Sequence, residues 1–413
     1  MTQADAARIG DHLKELSTIG ADPAGGFSRL VYTKPEREAH AAFRRWLEEY
    51  GLKTSTDAVG NSFGRLSGSE EGLPALMSGS HLDTVYQGGN FDGMVGVVAA
   101  VEIARILSET GGLRHPVGIV AFTGEEGARF GAPCIGSRLL TGSFSEDTLK
   151  HLTDRDGVSA WDAAKKVGLH PEDAASAKWD PADVACFVEV HIEQGRVLET
   201  RDRNLGVVHT IGGSTRVELT FDGRADHSGA TPMWLRRDAM VAAAEFITAV
   251  ERRAQRHATT VATVGTVRVQ PGSLTTVPGR VVLGLDVRDI DSERQRELTE
   301  TLLDDALRIA TGREIAVTAR QLSDQSPIVL HGTVQNVLAT AATNLNLPFI
   351  SMPSGASHDS GHIAKQVPTG MVFIPCRDGI SHAPEEHAIP EDVARAVDVV
   401  VDAFRAIDAG ATV

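Results

Sequence analysis

Three short strand-like runs, each leading into residues that can bind metal, constrain this chain more than any other feature. Ala75–His81 ends in His81, Val117–Phe122 leads into Thr123-Gly124-Glu125-Glu126, and Phe187–His191 ends in His191. Val117-Gly118-Ile119-Val120-Ala121-Phe122 has no polar residue to turn toward water, the pattern of a strand buried on both faces of a sheet. Helical patterns alternate with these runs. Residues 5–18 place Ile9, Leu13 and Leu16 on one face, and Pro35–Tyr50 has a first-turn proline and a following Gly51 stop. Gly93–Leu107 reads as a third helix. An α/β domain follows, with the His and Glu residues at the C-terminal ends of strands, where open α/β sheets place their sites.

The pattern changes after Gly212. Arg216–Phe221 alternates, Arg237–Gln255 reads as a helix, and Thr260–Val269 and Val281–Arg288 alternate. Ser292–Thr311 is a second long helix and Glu314–Gln321 a last strand. This β-α-β-β-α-β order is the ferredoxin-like arrangement. The expected organisation is a mixed or parallel α/β metal-binding catalytic domain, 1–212 and 328–413, interrupted by an inserted ferredoxin-like α+β domain, 213–327. His382 lies in the resumed part, so the first domain must be discontinuous if the ligands are to meet.

Five segments carry the chemistry: Ser80-His81-Leu82-Asp83-Thr84, Asn90-Phe91-Asp92-Gly93, Thr123-Gly124-Glu125-Glu126-Gly127, Glu189-Val190-His191-Ile192-Glu193-Gln194-Gly195 and Ser381-His382-Ala383-Pro384-Glu385-Glu386. Any one alone is a weak signal. Together they offer imidazole and carboxylate without thiolate, which suits zinc, manganese, cobalt or nickel in a hydrolytic site rather than a Cys-based structural zinc site. An isolated histidine such as His12 or His257 reads instead as a solvated helix residue. With 40 basic and 55 acidic residues the net charge is −15, which argues against nucleic acid and anionic membranes as partners. Three widely spaced cysteines imply no disulfide framework and fit a reducing, cytoplasmic setting. Cys376 reads as a buried thiol. The N-terminus has no signal-peptide core, and the apolar run Met94–Ala104 is too short to span a bilayer and contains Glu102. No Gly-x-Gly-x-x-Gly follows a strand, which argues against a dinucleotide site; Gly88-Gly89 reads as a turn near the ligands.

These motifs resemble the M20 metallopeptidase-like amidohydrolases, and more narrowly the hydantoinase/carbamoylase branch. The resemblance covers nearly the whole chain. It includes Gly26-Phe27-Ser28-Arg29-Leu30, Gly88-Gly89-Asn90-Phe91-Asp92-Gly93, His227-Ser228-Gly229-Ala230-Thr231-Pro232-Met233 and Ser354-Gly355-Ala356-Ser357-His358-Asp359. Glu189–Gly195 is its most specific mark, because other M20 enzymes usually have a carboxylate where His191 stands.

The resemblance, with the residue chemistry, implies two divalent metal ions (zinc, manganese, cobalt or nickel). His81 and His191 would hold one, Glu126 and His382 the other, and Asp92 would bridge them. Such a pair, about 3.5–4 Å apart, can share a hydroxide and polarise a substrate oxygen. Asp83 lies two residues from His81 on one strand face and would orient its imidazole. Glu125 would be the general base, moving a proton from water to the leaving nitrogen. A non-proline cis peptide is implied after Asp92. On the inserted domain His227 would stabilise the oxyanion and Arg288 would grip a substrate carboxylate; Gln194, Gly355 and His358 are further candidate substrate contacts. Thr275 stands where the family usually has Asn, with one hydroxyl in place of a donor and an acceptor, which leaves the substrate open within the family. The expected activity is hydrolysis of N-carbamoyl-L-amino acids. The alternatives are allantoate, ureidoglycolate or an N-acyl amino acid, or a non-catalytic descendant that only binds; retention of Glu125 beside all five ligands favours the enzyme. The resemblance also implies a homodimer formed through the inserted domain, which would act as a lid.

Overall fold

The computed structural model describes residues 3–412. The chain divides into two compact units, one built from the chain up to His209 and from Leu330 onward, the other from Thr210–Val329.

In the first unit the sheet runs, in spatial order, Lys53–Thr56, Ser62–Leu66, Val117–Phe122, Ala75–His81, Val184–Ile192, Thr369–Ile374 and Leu205–Ile211. Its centre is parallel. Val117–Phe122 and Val184–Ile192 flank Ala75–His81, and Thr369–Ile374 runs parallel to Val184–Ile192. Register aligns His81 with Phe122 and His191 with Phe373. His81, the loop after Phe122, and His191 therefore end at one edge of the sheet.

The run that reads as too short for a membrane is the most buried helix of the unit. Met94–Glu109 is buried from Met94 through Leu107, as expected of a helix apolar on all sides. It packs beneath Pro390–Asp408, Ala6–Leu16 and Lys34–Glu49 in one core with Phe43, Val188 and Phe404. Glu102 is tolerated inside because Arg105 donates to both its oxygens (2.9 and 2.7 Å) and Asp5 N–H donates at 2.8 Å. No helix among the described residues is long and apolar enough to cross a membrane. His12 does not sit in solvent as its sequence context suggests. It is buried and stacks on Trp46 with ring centroids 4.3 Å apart, because its turn of helix faces Lys34–Glu49.

The second unit is a four-stranded antiparallel sheet in the order Ala316–Gln325, Gly213–Asp222, Arg280–Asp289, Val261–Gln270. Helices Ala239–Ala254 and Ser292–Gly312 supply its core partners, Phe246 and Leu302 among them, to Val217, Leu219, Phe221, Val281, Leu283, Leu285 and Val287. Those strand residues alternate, so one sheet face is covered and the other holds the polar set. The first of these helices starts two residues later than the sequence pattern suggests, because Asp238 caps it by accepting from Met240 and Val241 N–H (2.9 and 3.2 Å). The last strand runs on to Gln325 through a register shift between Gln321 and Ser323, an irregularity that alternation alone does not reveal.

Arg29 ties the first unit together near its sheet edge. Its side chain is fully buried and donates to Leu16 O and Ile19 O (both 2.9 Å), Leu82 O (3.2 Å) and Asn90 Oδ1 (3.0 Å). Burial lowers its pKa to about 10, so it remains a cation at neutral pH. Arg29→Met should remove all four hydrogen bonds, although Leu16 O keeps a second donor, Ile19 N–H at 3.0 Å, and cost about 3 kcal/mol. Urea denaturation measures this, and a loss below about 1 kcal/mol would show that the acceptors find other partners.

Candidate metal centre and active site

The sheet edge gathers the expected ligands around one carboxylate. His81 Nε2 lies 3.5 Å and His191 Nε2 3.1 Å from Asp92 Oδ1. On the other side His382 Nε2 lies 3.1 Å from Asp92 Oδ2 and 3.2 Å from Glu126 Oε1. Two groups able to hold a cation result, His81–Asp92–His191 and Asp92–Glu126–His382, and Asp92 belongs to both. His81, Asp92, Glu126 and His191 are buried, while the His382 side chain keeps 49% of its surface, so the second group is the more open to solvent.

The imidazoles are turned for coordination. His81 Nδ1 lies 3.1 Å from Asp83 O and His191 Nδ1 2.9 Å from Ile192 O. With Nδ1–H donating to those carbonyls, Nε2 of each ring is left as a ligand atom. His191 Nε2 is buried and makes no hydrogen bond, an unsatisfied lone pair that a metal would satisfy. The electrostatics agree. Burial opposes protonation of His81, but Asp83, Asp92 and Glu125 outweigh it and raise its pKa well above the imidazole range. Asp92 and Glu126 push His382 up to about 11. Burial favours the neutral acid of Asp92, yet His191, His382 and His81 hold it well below the usual carboxylate range. Imidazoles that take up protons so readily mark a pocket that stabilises positive charge, and the donor set fits a divalent pair.

The surrounding groups hold this arrangement. Asp83 holds His81 through its main-chain carbonyl, and its carboxylate has a second task. Its carboxylate is 3.6 Å from His81 Nδ1, farther than its own carbonyl, and accepts from Glu125 N–H (2.9 Å) and Glu126 N–H (3.0 Å). It thereby fixes the Glu-Glu turn. Glu125 is buried, with Oε2 4.0 Å from His81 Nε2. Burial, with the neighbouring carboxylates, pushes its pKa well up against the pull of His81. The Asp92–Gly93 peptide is trans, against the expected cis bond. The sharp turn is made by Gly93 at φ 72°, where a Cβ would collide with the His81 ring.

Glu386 is the functional residue that sequence reasoning missed. Oε1 accepts from Phe91 and Asp92 N–H (both 2.9 Å), and Oε2 accepts from Ser381 Oγ–H (3.0 Å) and His382 N–H (3.3 Å). It clamps the turn bearing Asp92 to the segment bearing His382. Gly89 lies so close that a Cβ there would overlap the Glu386 carboxylate, which explains the Gly88-Gly89 pair beside the ligands. Glu189 also sits behind the site, accepting from Ser80 Oγ–H (2.7 Å) and from Ser360 N–H and Oγ–H (3.2 and 2.5 Å). Its oxygens are thus committed, although Glu189, His191 and His358 also lie within ligand distance of one another.

The candidate substrate residues divide. Gln194 Nε2 donates to Asp92 Oδ2 at 2.6 Å and Ser381 Oγ at 3.1 Å, so it braces the bridging carboxylate. His358 is buried, with Nε2 2.8 Å from Ser354 Oγ and its ring edge-on to His191 at 4.5 Å. Burial holds it well below the imidazole range, hence neutral. Gly355 lies beside Ser354 in the turn leading to His358. His227, Thr275 and Arg288 belong to the inserted unit. There Thr275 O accepts from Ser228 N–H at 2.9 Å, next to His227. Asp286 Oδ2 lies 3.2 Å from Arg288 Nε and 3.0 Å from its Nη2. Cys376 is a buried thiol that donates to Ile380 O at 2.7 Å.

Comparison with known proteins identifies the family. The sequence pattern of peptidase family M20/M25/M40 matches residues 77–406. The chain is 40% identical over 394 residues to the N-carbamoyl-L-amino acid amidohydrolase of Geobacillus stearothermophilus, covering 95% of this chain and 96% of that one. It is 37% identical over 403 residues to the ureidoglycolate hydrolase of Oryza sativa subsp. japonica, covering 96% and 83%. A crystal structure of an amidase of the hydantoinase/carbamoylase family from Burkholderia multivorans superposes with a TM-score of 0.91 at 33% identity, covering 100% and 99%.

Glu386→Gln tests the clamp. An amide must present a donor to at least one pair of N–H or O–H groups that now meet an acceptor. Metal affinity should fall about 10–100-fold while the fold persists. Equilibrium dialysis with metal quantification, beside circular dichroism, measures both; unchanged affinity would show that the bridging carboxylate needs no clamp.

Proposed function

The chain belongs to peptidase family M20/M25/M40, among the amidohydrolases of the hydantoinase/carbamoylase branch, and we propose that it cleaves the ureido C–N bond of N-carbamoyl-L-amino acids at a dinuclear metal centre. The observation that carries the reading is Asp92, whose two oxygens each lie 3.1 Å from a different imidazole, those of His191 and His382. His81 and His191 would hold one ion, Glu126 and His382 the other, with Asp92 between. A bound pair supplies Lewis acidity to the substrate oxygen and lowers the pKa of water.

The chain's own residues supply the rest. Glu125 takes a proton from the attacking water as oxygen adds to the ureido carbon. It gives that proton to the amino-acid nitrogen as the C–N bond breaks. His227 Nδ1 accepts from Gly229 and Ala230 N–H (both 3.1 Å), so the ring proton sits on Nε2. A neutral imidazole with Nε2–H is a suitable donor to a developing oxyanion. Arg288 is the group proposed for the substrate carboxylate, with Asp286 fixing one edge of its guanidinium.

The decisive experiment is a panel of N-carbamoyl-L-amino acids, allantoate, ureidoglycolate, N-carbamoyl-β-alanine and N-acyl amino acids on metal-loaded enzyme. The highest kcat/KM should fall on N-carbamoyl-L-amino acids, and a preference for allantoate or ureidoglycolate would replace that assignment. On the preferred substrate Glu125→Gln should lose at least about a hundredfold in kcat and keep its metal; near wild-type turnover would place the base elsewhere.

Arg288→Ala should raise KM for the carboxylate substrate by an amount equivalent to about 2–4 kcal/mol, the scale of a lost charge-assisted contact. An amide or ester analogue of the same substrate should be affected far less. Equal losses on charged and neutral substrates would make Arg288 structural.

A further inference from the structure

Cys134 is a buried group that the mechanism above does not use, and it touches Glu125 twice. Its N–H donates to Glu125 O at 2.8 Å, and its Sγ–H donates to Glu125 Oε1 at 3.4 Å. The main-chain contact is the first rung of a short ladder. Ile135 N–H donates to Gly124 O at 2.8 Å and Gly136 N–H to Thr123 O at 2.9 Å, so residues 134–136 are zipped onto the turn that carries the Glu-Glu pair.

The backbone at Cys134 is unusual. It lies at φ 58°, ψ 42°, in the left-handed region, immediately before the helix Ile135–Leu140. Glycine is the inexpensive residue for that conformation, and a side chain there is strained. The strained conformation aims the thiol at Glu125 and leaves it none of its surface in solvent. Burial, then the Glu125 and Asp359 carboxylates, push the thiol pKa well up, so the sulfur keeps the proton it donates. The two carboxylate oxygens of Glu125 are thereby differentiated. Oε1 faces the thiol, and Oε2 faces the ligand set, 4.0 Å from His81 Nε2.

We propose that Cys134 is a positioning residue for the general base: its thiol holds Oε1 of Glu125 so that Oε2 is the oxygen presented to the reacting water. This rests on the assignment of Glu125 as the base. A weak S–H donor suits the task, because it fixes the rotamer of the carboxylate without competing strongly for the lone pair that must take the proton.

The test uses metal-loaded holoenzyme with Cys134→Ala, Cys134→Gly and Cys134→Ser. Loss of the donor in the Ala and Gly variants should lower kcat about tenfold, with KM within about twofold, as the base loses its fixed orientation. The Ser variant keeps a donor at nearly the same point and should recover kcat to within about threefold of wild type. Metal content should not change in any of the three. The Gly variant separates the thiol from the backbone, since glycine relieves the strain and should hold or raise the melting temperature while kcat falls. Unchanged kcat in the Ala and Gly variants overturns the proposal. So does a kcat loss in all three, Ser included, that tracks lost metal or a lower melting temperature. A second readout needs no substrate. The S–H stretching band, assigned by its disappearance in Cys134→Ser, should shift when Glu125 is changed to Gln. An unmoved band removes the contact itself, whereas failure of every ureido substrate with a shifting band removes only the functional reading.

Discussion

The arrangement depends on one carboxylate serving two sets of partners. Asp92 must keep both oxygens in the same plane of approach, one toward His81 and His191 and the other toward His382. Glu386 anchors the backbone that carries it, holding the N–H groups of Phe91 and Asp92 with one oxygen and the segment of His382 with the other. Gln194 braces the same carboxylate from a third direction. The partners lie almost 300 positions apart in the chain, and the sheet brings them together. Thr369–Ile374 pairs in parallel with Val184–Ile192, so the chain that continues from Ile374 to His382 leaves the sheet at the edge where His191 ends. An insertion of 120 residues, Thr210–Val329, is compatible with the centre because the returning strand restores that register.

Such a centre is costly to fold. Asp92, Glu125, Glu126 and Glu189 are all buried within one region, and buried carboxylates are unfavourable unless paired or hydrogen-bonded. The structure offsets this in two ways. Asp83 and Glu386 spend their own lone pairs on main-chain N–H groups, which anchors the loops without adding unpaired charge. Arg29 supplies a fully buried cation tied to Leu82 and Asn90, on either side of Asp83 in the chain. Under the proposed assignment a metal pair would complete the pairing of the ligand oxygens and imidazole nitrogens, which would link metal affinity to the stability of this unit.

Much of this was legible in the sequence, and the limits have physical causes. The strand Val117–Phe122 follows from an unbroken apolar run, whereas Ala75–His81 buries Ser78 and Ser80 as well, their hydroxyls donating to Val188 O (2.8 Å) and Glu189 Oε1 (2.7 Å). The ligand types follow from the strand-end motifs. Glu386 was not legible as a clamp, although it lies in the same segment as His382, since its partners are main-chain N–H groups at positions 91, 92 and 382 and no side-chain pattern encodes them. Asp83 contacts His81 through its main-chain carbonyl (3.1 Å) and lies near it with its carboxylate (3.6 Å), but its bonds to the turn at 125–126 are not legible in sequence, because the spacing to His81 says nothing about a turn that comes to lie against it. His12 shows the converse: a polar residue on an amphipathic helix was read as solvated, and a facing aromatic ring, Trp46, buries it.

The inserted unit shows how an acidic chain can present a face suited to anions. Its helices cover only one side of the sheet, so Arg216, Glu218, Asp286 and Arg288 lie on the other, between the buried Val217, Leu219, Leu285 and Val287 of the same strands. On that side Asp286 is shared by Arg216 and Arg288, and Glu218 by Arg268 and Arg320. In each set one carboxylate lies against two guanidinium groups. Exposed pairs of this kind add little stability, so their consequence is the sign of the local field. The chain as a whole carries −15, which would repel a carboxylate from most of its surface. A uniformly acidic molecule would slow the approach of an anionic substrate, and arginines gathered on one face oppose that effect locally. Arg288 stands on this face, where Asp286 orients its guanidinium, the placement that its proposed role toward a substrate carboxylate would need.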